Sequence, residues 1–374
     1  MSRSSKLREI FSVFLKLGFV AFGGPAAHVA LMQDEFVERR QWMSAQRFTS
    51  LLGITNLIPG PNSTEMAMLC GYERGGFSGF LTAGVAFISP AMVMTIILAY
   101  VYVSYGSLPA LEPVLIGLQA GVVVVIVHAV YKLSKKMLKD TTDYVLLAVA
   151  ILFSLFLLDE IVVILLTGAL LVLSRSLMDR LRSLGSIMTL SFVLQGVASQ
   201  KTSAIFLFFL KIGAVLFGSG YVLVAYLDTY LVQDLGWITR TQLLDAIAIG
   251  QFTPGPVLTT ASFIGYLLNG VEGAIAATIG IFLPSFVFVA IIFPIVEKIS
   301  RYKQINLFIT GAGIGALAVM AVVAVELVGE GIGQFTFIAV LVVAAIYQFG
   351  YKKANTIITI ILSIALSLVI AVLQ

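Results

Sequence analysis

Leu57-Ile58-Pro59-Gly60-Pro61-Asn62-Ser63-Thr64-Glu65 and Phe252-Thr253-Pro254-Gly255-Pro256-Val257-Leu258-Thr259-Thr260 are the two stretches that decide how this chain folds. A proline lacks the backbone donor and collides with the carbonyl one turn back. It also pushes the preceding residue out of the helical region. Two prolines around a glycine therefore break a helix at each place. The second proline of each trio suits the first position of a new helix, so the amides of Asn62–Glu65 and Val257–Thr260 are expected to point back at the break. A helix N-terminus carries roughly half a positive charge and free N–H donors. Asn62, Ser63, Thr64, Thr259 and Thr260 add side-chain donors there. Each break reads as an anion site. For either break alone, a packing turn in a hairpin is the competing reading, and its recurrence favours the site.

The surroundings of the breaks are apolar. Of 374 residues 59% are apolar and 11% charged, with a mean hydropathy of +1.04. Soluble domains carry about a quarter charged residues, so a water-soluble domain is excluded. Blocks nearly free of charge run over Ala110–Leu133, Tyr144–Leu158, Ile161–Leu173, Ile275–Val296, Ile309–Val328, Phe335–Ile346 and Thr356–Leu373. A span takes about 20 apolar residues, so the expectation is an all-α polytopic membrane protein with about 10–12 membrane segments, including broken or re-entrant helices at the Pro-Gly-Pro motifs. Inside hydrocarbon, freed backbone groups are tolerated only where protein buries them or a wet cavity receives them.

Several function classes fall away. The lone Cys70 allows no intrachain disulfide. His28 and His128 are too few for a haem or di-metal membrane enzyme, so no metal and no cofactor is expected. No nucleophile–base cluster suggests an enzyme. The net charge of +4 comes from Lys and Arg in short loops, where they signal topology rather than nucleic-acid binding. Arg3, Lys6 and Arg8 before an apolar stretch imitate a signal peptide, but the same stretch recurs in the second half, where nothing could be cleaved.

The recurrence is extensive. Phe14-Leu15-Lys16-Leu17-Gly18 returns as Phe209-Leu210-Lys211-Ile212-Gly213, an offset of 195 (211 − 16). Phe22-Gly23 matches Phe217-Gly218, Trp42 matches Trp237, and Thr64 matches Thr259. From Phe14 to Thr64, sixteen of fifty-one positions are identical without a gap. At an offset of 194 the match continues through Gly71-Tyr72 with Gly265-Tyr266, Gly76 with Gly270, Gly79 with Gly273 and Pro90 with Pro284. Identities on Gly, Pro, Trp and Lys mark a duplication rather than shared apolar composition. The expected division is residues 1–182 as the first repeat, 183–203 as a linker and 204–374 as the second repeat. Basic loops after Leu133, Leu173, Val296 and Phe349 alternate with loops free of Lys and Arg. Read by the charge rule, the halves run in opposite directions, as an inverted repeat.

Around the breaks the candidate substrate-binding residues are Lys16, Gly23, Gly24, Asn56, Pro59, Gly60, Pro61, Asn62, Ser63 and Thr64. In the second half they are Lys211, Gly218, Ser219, Gly220, Gln251, Pro254, Gly255, Pro256, Thr259 and Thr260. The glycine segments allow close approach of backbone to a ligand and equally of helix to helix. Two matched lysines in apolar helices cost about 2.5–3.5 kcal/mol each on insertion scales and could balance a dianion; snorkelling to the interface is the plainer alternative. Glu65 and His28 are proton-coupling candidates, set against a capping carboxylate and a packed histidine. Glu38, Arg39, Arg40, Arg47 and Arg74 could form a mouth attracting anions or merely obey the charge rule.

Lys16-x-Gly18, Phe22-Gly23-Gly24-Pro25, Glu38-Arg39-Arg40-x-Trp42, Asn56-x-x-Pro59-Gly60-Pro61-Asn62-Ser63-Thr64-Glu65, Gly71-Tyr72, Gln251-x-x-Pro254-Gly255-Pro256 and Leu283-Pro284-Ser285 together resemble the chromate ion transporter family in its long, two-domain form. The resemblance covers nearly the whole chain. It implies a multi-pass protein of the cytoplasmic (inner) membrane, with duplicated halves of opposite orientation. It further implies export of chromate, a tetrahedral divalent oxyanion, driven by a proton gradient or the membrane potential, or by anion exchange, with sulfate a related partner. The sequence departs from symmetry where Ser89-Pro90-Ala91 lacks the hydroxyl of Leu283-Pro284-Ser285. A carrier for sulfate or another small anion, and a passive anion channel, are the alternatives carried forward. Besides the anion and the lipid bilayer, a second copy of the chain in a homodimer is an admissible partner, and nucleic acid is not.

Overall fold

A computed structural model describes residues 3–21, 24–55, 58, 60–106, 108, 111–156, 160–179, 202–216, 222–294, 303–331, 333–351 and 354–373. Among these residues there is no strand. The first half comprises α1 (Arg3–Val20), α2 (Gly24–Gln33) with a π-helical continuation over Asp34–Arg39, α3 (Ala45–Thr55), α4 (Asn62–Tyr105), α5 (Glu112–Met137), α6 (Thr141–Leu155) and α7 (Glu160–Asp179). The second half repeats that order: α8 (Thr202–Val215), α9 (Val222–Leu227) with a π-helical continuation over Asp228–Asp234, α10 (Arg240–Phe252), a 3-10 turn at Val257–Thr259, α11 (Thr260–Ile292), α12 (Lys303–Gly331), α13 (Phe335–Gly350) and α14 (Thr356–Leu373). Most of the expected 183–203 linker lies outside the described residues, and α8 is already helical at Thr202.

Neither α4 nor α11 is one straight rod. Gly76 stands at φ 62°, ψ −153° inside α4, and Gly270 at φ 56°, ψ −148° inside α11. A side chain rarely adopts that backbone, so the matched glycines mark where each helix folds back. The reversal presses Gly71 onto Gly79, and Gly265 onto Gly273, with no room for a β-carbon at either pair. The arm Asn62–Gly75 therefore lies antiparallel to α3, and an ion pair from Arg47 Nη2 to Glu73 Oε1 (2.7 Å) joins their outer ends. Their inner ends meet at the first Pro-Gly-Pro.

Helix α1 runs alongside the returning arm of α4. Arg3 Nη2 donates to Ser78 Oγ (2.6 Å) at one end. At the other, a β-carbon on Gly18 would sit 2.7 Å from the Phe87 carbonyl oxygen and 2.9 Å from Pro90 Cγ. Arg40 and Arg74 both bind Glu9 (3.2 and 2.8 Å), which brings the segment after α2 back to the start of α1. In the second half Asn269 Nδ2 donates to Thr202 Oγ1 (2.8 Å), and Gly213 abuts the Ile281 carbonyl. Thr239 caps α10 reciprocally with Gln242, the two-way arrangement that satisfies orphan amides.

The remaining helices exchange partners between halves. Helix α5 packs on α14 and α7 on α12. Both interfaces use small residues: Gly117 and Gly121 against Ser363 and its neighbours, Gly311 and Gly315 against Thr167. Such residues let helix backbones approach where solvent supplies no hydrophobic drive. Among the described residues five helices are long and apolar enough to cross a membrane: Asn62–Tyr105, Glu112–Met137, Val257–Ile292, Gln304–Gly329 and Thr356–Leu373. Leu81, Val85, Val287 and Ile346 are exposed on this surface, which in water would form unfavourable patches. In lipid they meet their own kind.

Candidate functional site

Each break is docked on the other half. Gly255 N donates to the Ala21 carbonyl oxygen (2.8 Å), at the end of α1. A β-carbon on Gly255 would lie 2.7 Å from Ala91 Cβ, one residue past Pro90 of α4. Reciprocally, a β-carbon on Gly60 would collide with the Ser285 hydroxyl, one residue past Pro284 of α11, and with the Glu65 carboxyl. Both glycines have positive φ, 143° at Gly60 and 97° at Gly255. Here the backbone conformation and the close approach demand glycine for the same reason.

Each break ends one helix and starts another. Thr55 is the last residue of α3, and Pro61 (φ −82°, ψ 96°) precedes the first residue of α4. Thr64 N and Glu65 N already bond the Pro61 carbonyl (2.8 and 3.2 Å), and no side chain caps this end. In the second half Thr253 (ψ 132°) and Pro256 (ψ 127°) are extended on either side of Pro254-Gly255.

The polar groups differ sharply between the breaks. At the second, every hydroxyl has an acceptor: Thr253 Oγ1 donates to Ile249 O (2.7 Å), Thr259 Oγ1 to Pro256 O (2.8 Å) and Thr260 Oγ1 to Val257 O (2.9 Å). At the first, Thr64, Glu65 and Ser285 are fully buried, and their side-chain oxygens have no hydrogen-bond partner. Gln251 is buried on α10 with its Nε2 unpartnered. An unpartnered buried polar group costs about 1–3 kcal/mol, so Glu65 and Ser285 beside Gly60 form an arrangement that something else must complete. The Glu65 carboxyl caps nothing.

Other expected site residues stand further off. Lys16 is exposed on α1. Lys211 Nζ lies over the Tyr230 ring, 4.6 Å from its centroid. No described contact joins either lysine to a break. His28 is buried edge-on to Phe87, with ring centroids 5.7 Å apart, and its ring nitrogens have no partner at hydrogen-bonding distance. Gly24 begins α2 at φ 79°. Gly23, Asn56, Pro59, Gly218, Ser219 and Gly220 lie outside the described residues.

The arginines of the expected mouth are neutralised. Arg39 pairs with Asp34 (2.9 Å), Arg40 with Glu35 and Glu9, Arg47 with Glu73 and Arg74 with Glu9. Arg74 also lies over the Trp42 ring at 5.4 Å. These pairs tie hairpin ends together.

Asp245 and Asp228 are among the buried acids that escaped the sequence reading. Asp245 on α10 accepts from Tyr102 Oη of α4 (2.7 Å) and Gln119 Nε2 of α5 (2.9 Å), bridging the halves. Asp228 accepts from Arg240 Nε (2.6 Å) and Gln233 Nε2 (2.9 Å). Both stand in apolar runs, Leu243-Leu244-Asp245-Ala246-Ile247 and Val224-Ala225-Tyr226-Leu227-Asp228. An acid in such a run is the signal that could have found them. Beside the second break, Met94, Leu98, Phe252, Pro254 and Ile361 line a cavity of about 470 Å³. Its walls are apolar, so it offers an anion nothing.

Comparison with known proteins covers both halves. A family model described as chromate transporter matches residues 8–173 and again 203–369. A probable chromate transport protein of Synechococcus elongatus is 31% identical over 373 residues, covering 96% of this chain and 94% of the relative. The chromate transport protein of Cupriavidus metallidurans is 30% identical over 358 residues, 93% and 89% of the two chains. That of Pseudomonas aeruginosa is 27% identical, covering 96% and 91%. No solved structure matches.

Proposed function

The chain belongs to the chromate transporter family, and from that premise we propose that it exports chromate across the cytoplasmic membrane as a secondary transporter. The observation that carries the reading is the reciprocal docking of the two breaks, Gly255 on Ala21 and Ala91 and Gly60 on Ser285, with unpartnered buried groups beside it. Transporters place substrate where discontinuous helices of two repeats meet near the bilayer midplane. Here that place is the start of α4 opposite the 3-10 turn that precedes α11. Asn62, Ser63 and Thr64 supply donors from one side, and Gln251, Thr259 and Thr260 line the other. The paired arms α1–α2 and α3–Gly75 would be re-entrant hairpins with their tips at this depth, and α8–α9 and α10–Asn269 their counterparts. The alternation of basic and uncharged loops supports opposite orientation of the halves.

A carrier must alternate access to such a site, and docked breaks suit that task. At the breaks themselves the halves touch through two short glycine-centred surfaces, a contact that can open on one side while holding on the other, beside the helix packing of α5 on α14 and α7 on α12. The lysines contribute field at a distance in this scheme rather than direct ligation. Energy comes from the membrane potential, the proton gradient or exchange for another anion such as sulfate.

The test is efflux from proteoliposomes loaded with chromate. The expected result is flux that saturates with internal chromate and is slowed by competing oxyanions. Conductance that rises linearly without saturation would instead identify a channel, and saturable sulfate flux indifferent to chromate would reassign the substrate.

A further inference from the structure

We propose that the Glu65 carboxyl is a proton site positively linked to anion binding: the break takes up a proton at Glu65 as it takes up a dianion. The inference rests on the anion site proposed above and adds the sign of its coupling. Glu65 follows directly on the donors Asn62–Thr64 in the first turn of α4, is fully buried, and has neither carboxyl oxygen paired. Its Oε1 lies beside Gly60, the glycine of the break itself, and the equally unpartnered hydroxyl of Ser285 from the other half lies beside the same glycine. A carboxylate there would oppose a dianion at the same helix end, because like charges at short range in a dry site repel strongly. A protonated carboxyl removes the repulsion and gains a donor that can point at the ion. Each ligand therefore raises the affinity of the other, and by linkage the two effects are equal.

Among the described residues no charge is paired with this carboxyl. The titratable groups on elements packed against α4 have partners of their own or face elsewhere. Glu9 of α1 binds Arg74 and Arg40, and Arg47 of α3 binds Glu73. Asp245 of α10 binds Tyr102 and Gln119. Lys16 of α1 and Glu272 of α11 are exposed, and His28 of α2 packs edge-on to Phe87. None has a described hydrogen bond or ion pair to the Glu65 carboxyl.

The sign has a consequence for transport. A proton that assists dianion binding travels with it, so the complex leaves carrying one negative charge fewer. Competitive exchange, with a proton displacing the anion at this break, is the opposite behaviour and is excluded by the same electrostatics. Acidifying the chromate-loaded side should then accelerate efflux, and acidifying the receiving side should not.

The decisive measurement is proton uptake by the purified full-length protein when chromate is added at alkaline pH, where the free ion is already a dianion. The wild type should take up about one proton per anion bound, and its affinity should rise by up to about tenfold for each unit of pH lowered, the limit for one linked proton. Glu65→Gln, which mimics the neutral acid, should bind chromate without proton uptake and with no such slope. Binding by the wild type with no proton uptake overturns the linkage and leaves the anion site standing. An unchanged slope in Glu65→Gln also overturns it, and so does dependence on sodium rather than on protons. Absence of chromate binding in both proteins at every pH removes the anion site and this proposal together. The wild-type measurement needs no variant, so a folding defect in Glu65→Gln would not blunt it.

Discussion

The two Pro-Gly-Pro breaks share a backbone and differ in what they leave unfinished. At the second, Thr253, Thr259 and Thr260 return their hydroxyls to carbonyls within four residues, and Gly255 bonds across to Ala21. At the first, the counterpart of Thr260 is Glu65, the counterpart of Ala91 is Ser285, and both side chains are buried and unpaired. The hydroxyls of the second break are closed within the joint, and Gln251 Nε2 is the unpartnered group beside it. The first has the same joint with polar groups added that folding alone does not use. Duplication supplied the frame twice, and both copies contribute unpaired groups: Thr64 and Glu65 from the first, Ser285 and Gln251 from the second.

The surroundings follow the same division. The second hairpin is anchored by a buried acid: Asp228, fully buried, held by Arg240, which reaches on to Glu326 of α12 (3.0 Å). The first hairpin is closed at its outer end by Arg47–Glu73, both partly exposed. Removing one partner of a buried pair strands the other charge and costs about 3–5 kcal/mol, whereas a partly exposed pair is worth roughly 0–1 kcal/mol. Arg240→Ala is therefore expected to lower the thermal midpoint in detergent far more than Arg47→Ala. Equal losses would mean that the second hairpin is no more firmly held than the first.

A comparable effect is expected from the glycines. Gly255→Ala places a methyl against Ala91 Cβ at 2.7 Å, where nothing can swing aside, and forces alanine to φ 97°. Overpacking costs typically 1–3 kcal/mol and an unfavourable backbone about as much again. Gly60→Ala meets the ends of two side chains instead, and Glu65 and Ser285 can turn away. The larger loss of folded protein should thus fall on Gly255→Ala, with partial rescue by Ala91→Gly. Failure of Ala91→Gly to rescue anything would leave backbone strain as the whole penalty.

How far these contrasts could be foreseen depends on the range of the interactions behind them. The breaks, the repeat and the membrane class are local or periodic features, legible because Pro, Gly and apolar runs act on their own neighbours. Gly76 and Gly270 were visible as matched residues, but their role as reversal points needed the sight of Gly71 pressed on Gly79. Pairing was not legible. Arg74 meets Glu9 across 65 residues, and Asp245 meets Gln119 across 126. No spacing rule connects such positions. The matched lysines show the same limit: their shared position in the repeat says nothing of their neighbours, and Lys16 is exposed while Lys211 lies over Tyr230.

The finest test uses one pair of counterparts, Thr64 and Thr259, each replaced by valine. The shapes are nearly equal, and both sites are fully buried, so the change isolates the hydroxyl. Thr259 donates to the Pro256 carbonyl, and Thr259→Val should cost about 0.5–1.5 kcal/mol, the usual net worth of one hydrogen bond. The Thr64 hydroxyl has no partner, so Thr64→Val should leave the thermal midpoint unchanged or raise it, since its desolvation is no longer uncompensated. Transport should behave in reverse. If Thr64 donates to the bound anion, its loss weakens a hydrogen bond to a charged ligand, about 1.5–3 kcal/mol, or roughly tenfold and upward in affinity. Thr259→Val should change affinity much less. Stability and affinity moving in opposite directions at two positions related by the repeat would separate the joint from the site. Their moving together at both would mean that the breaks are alike after all.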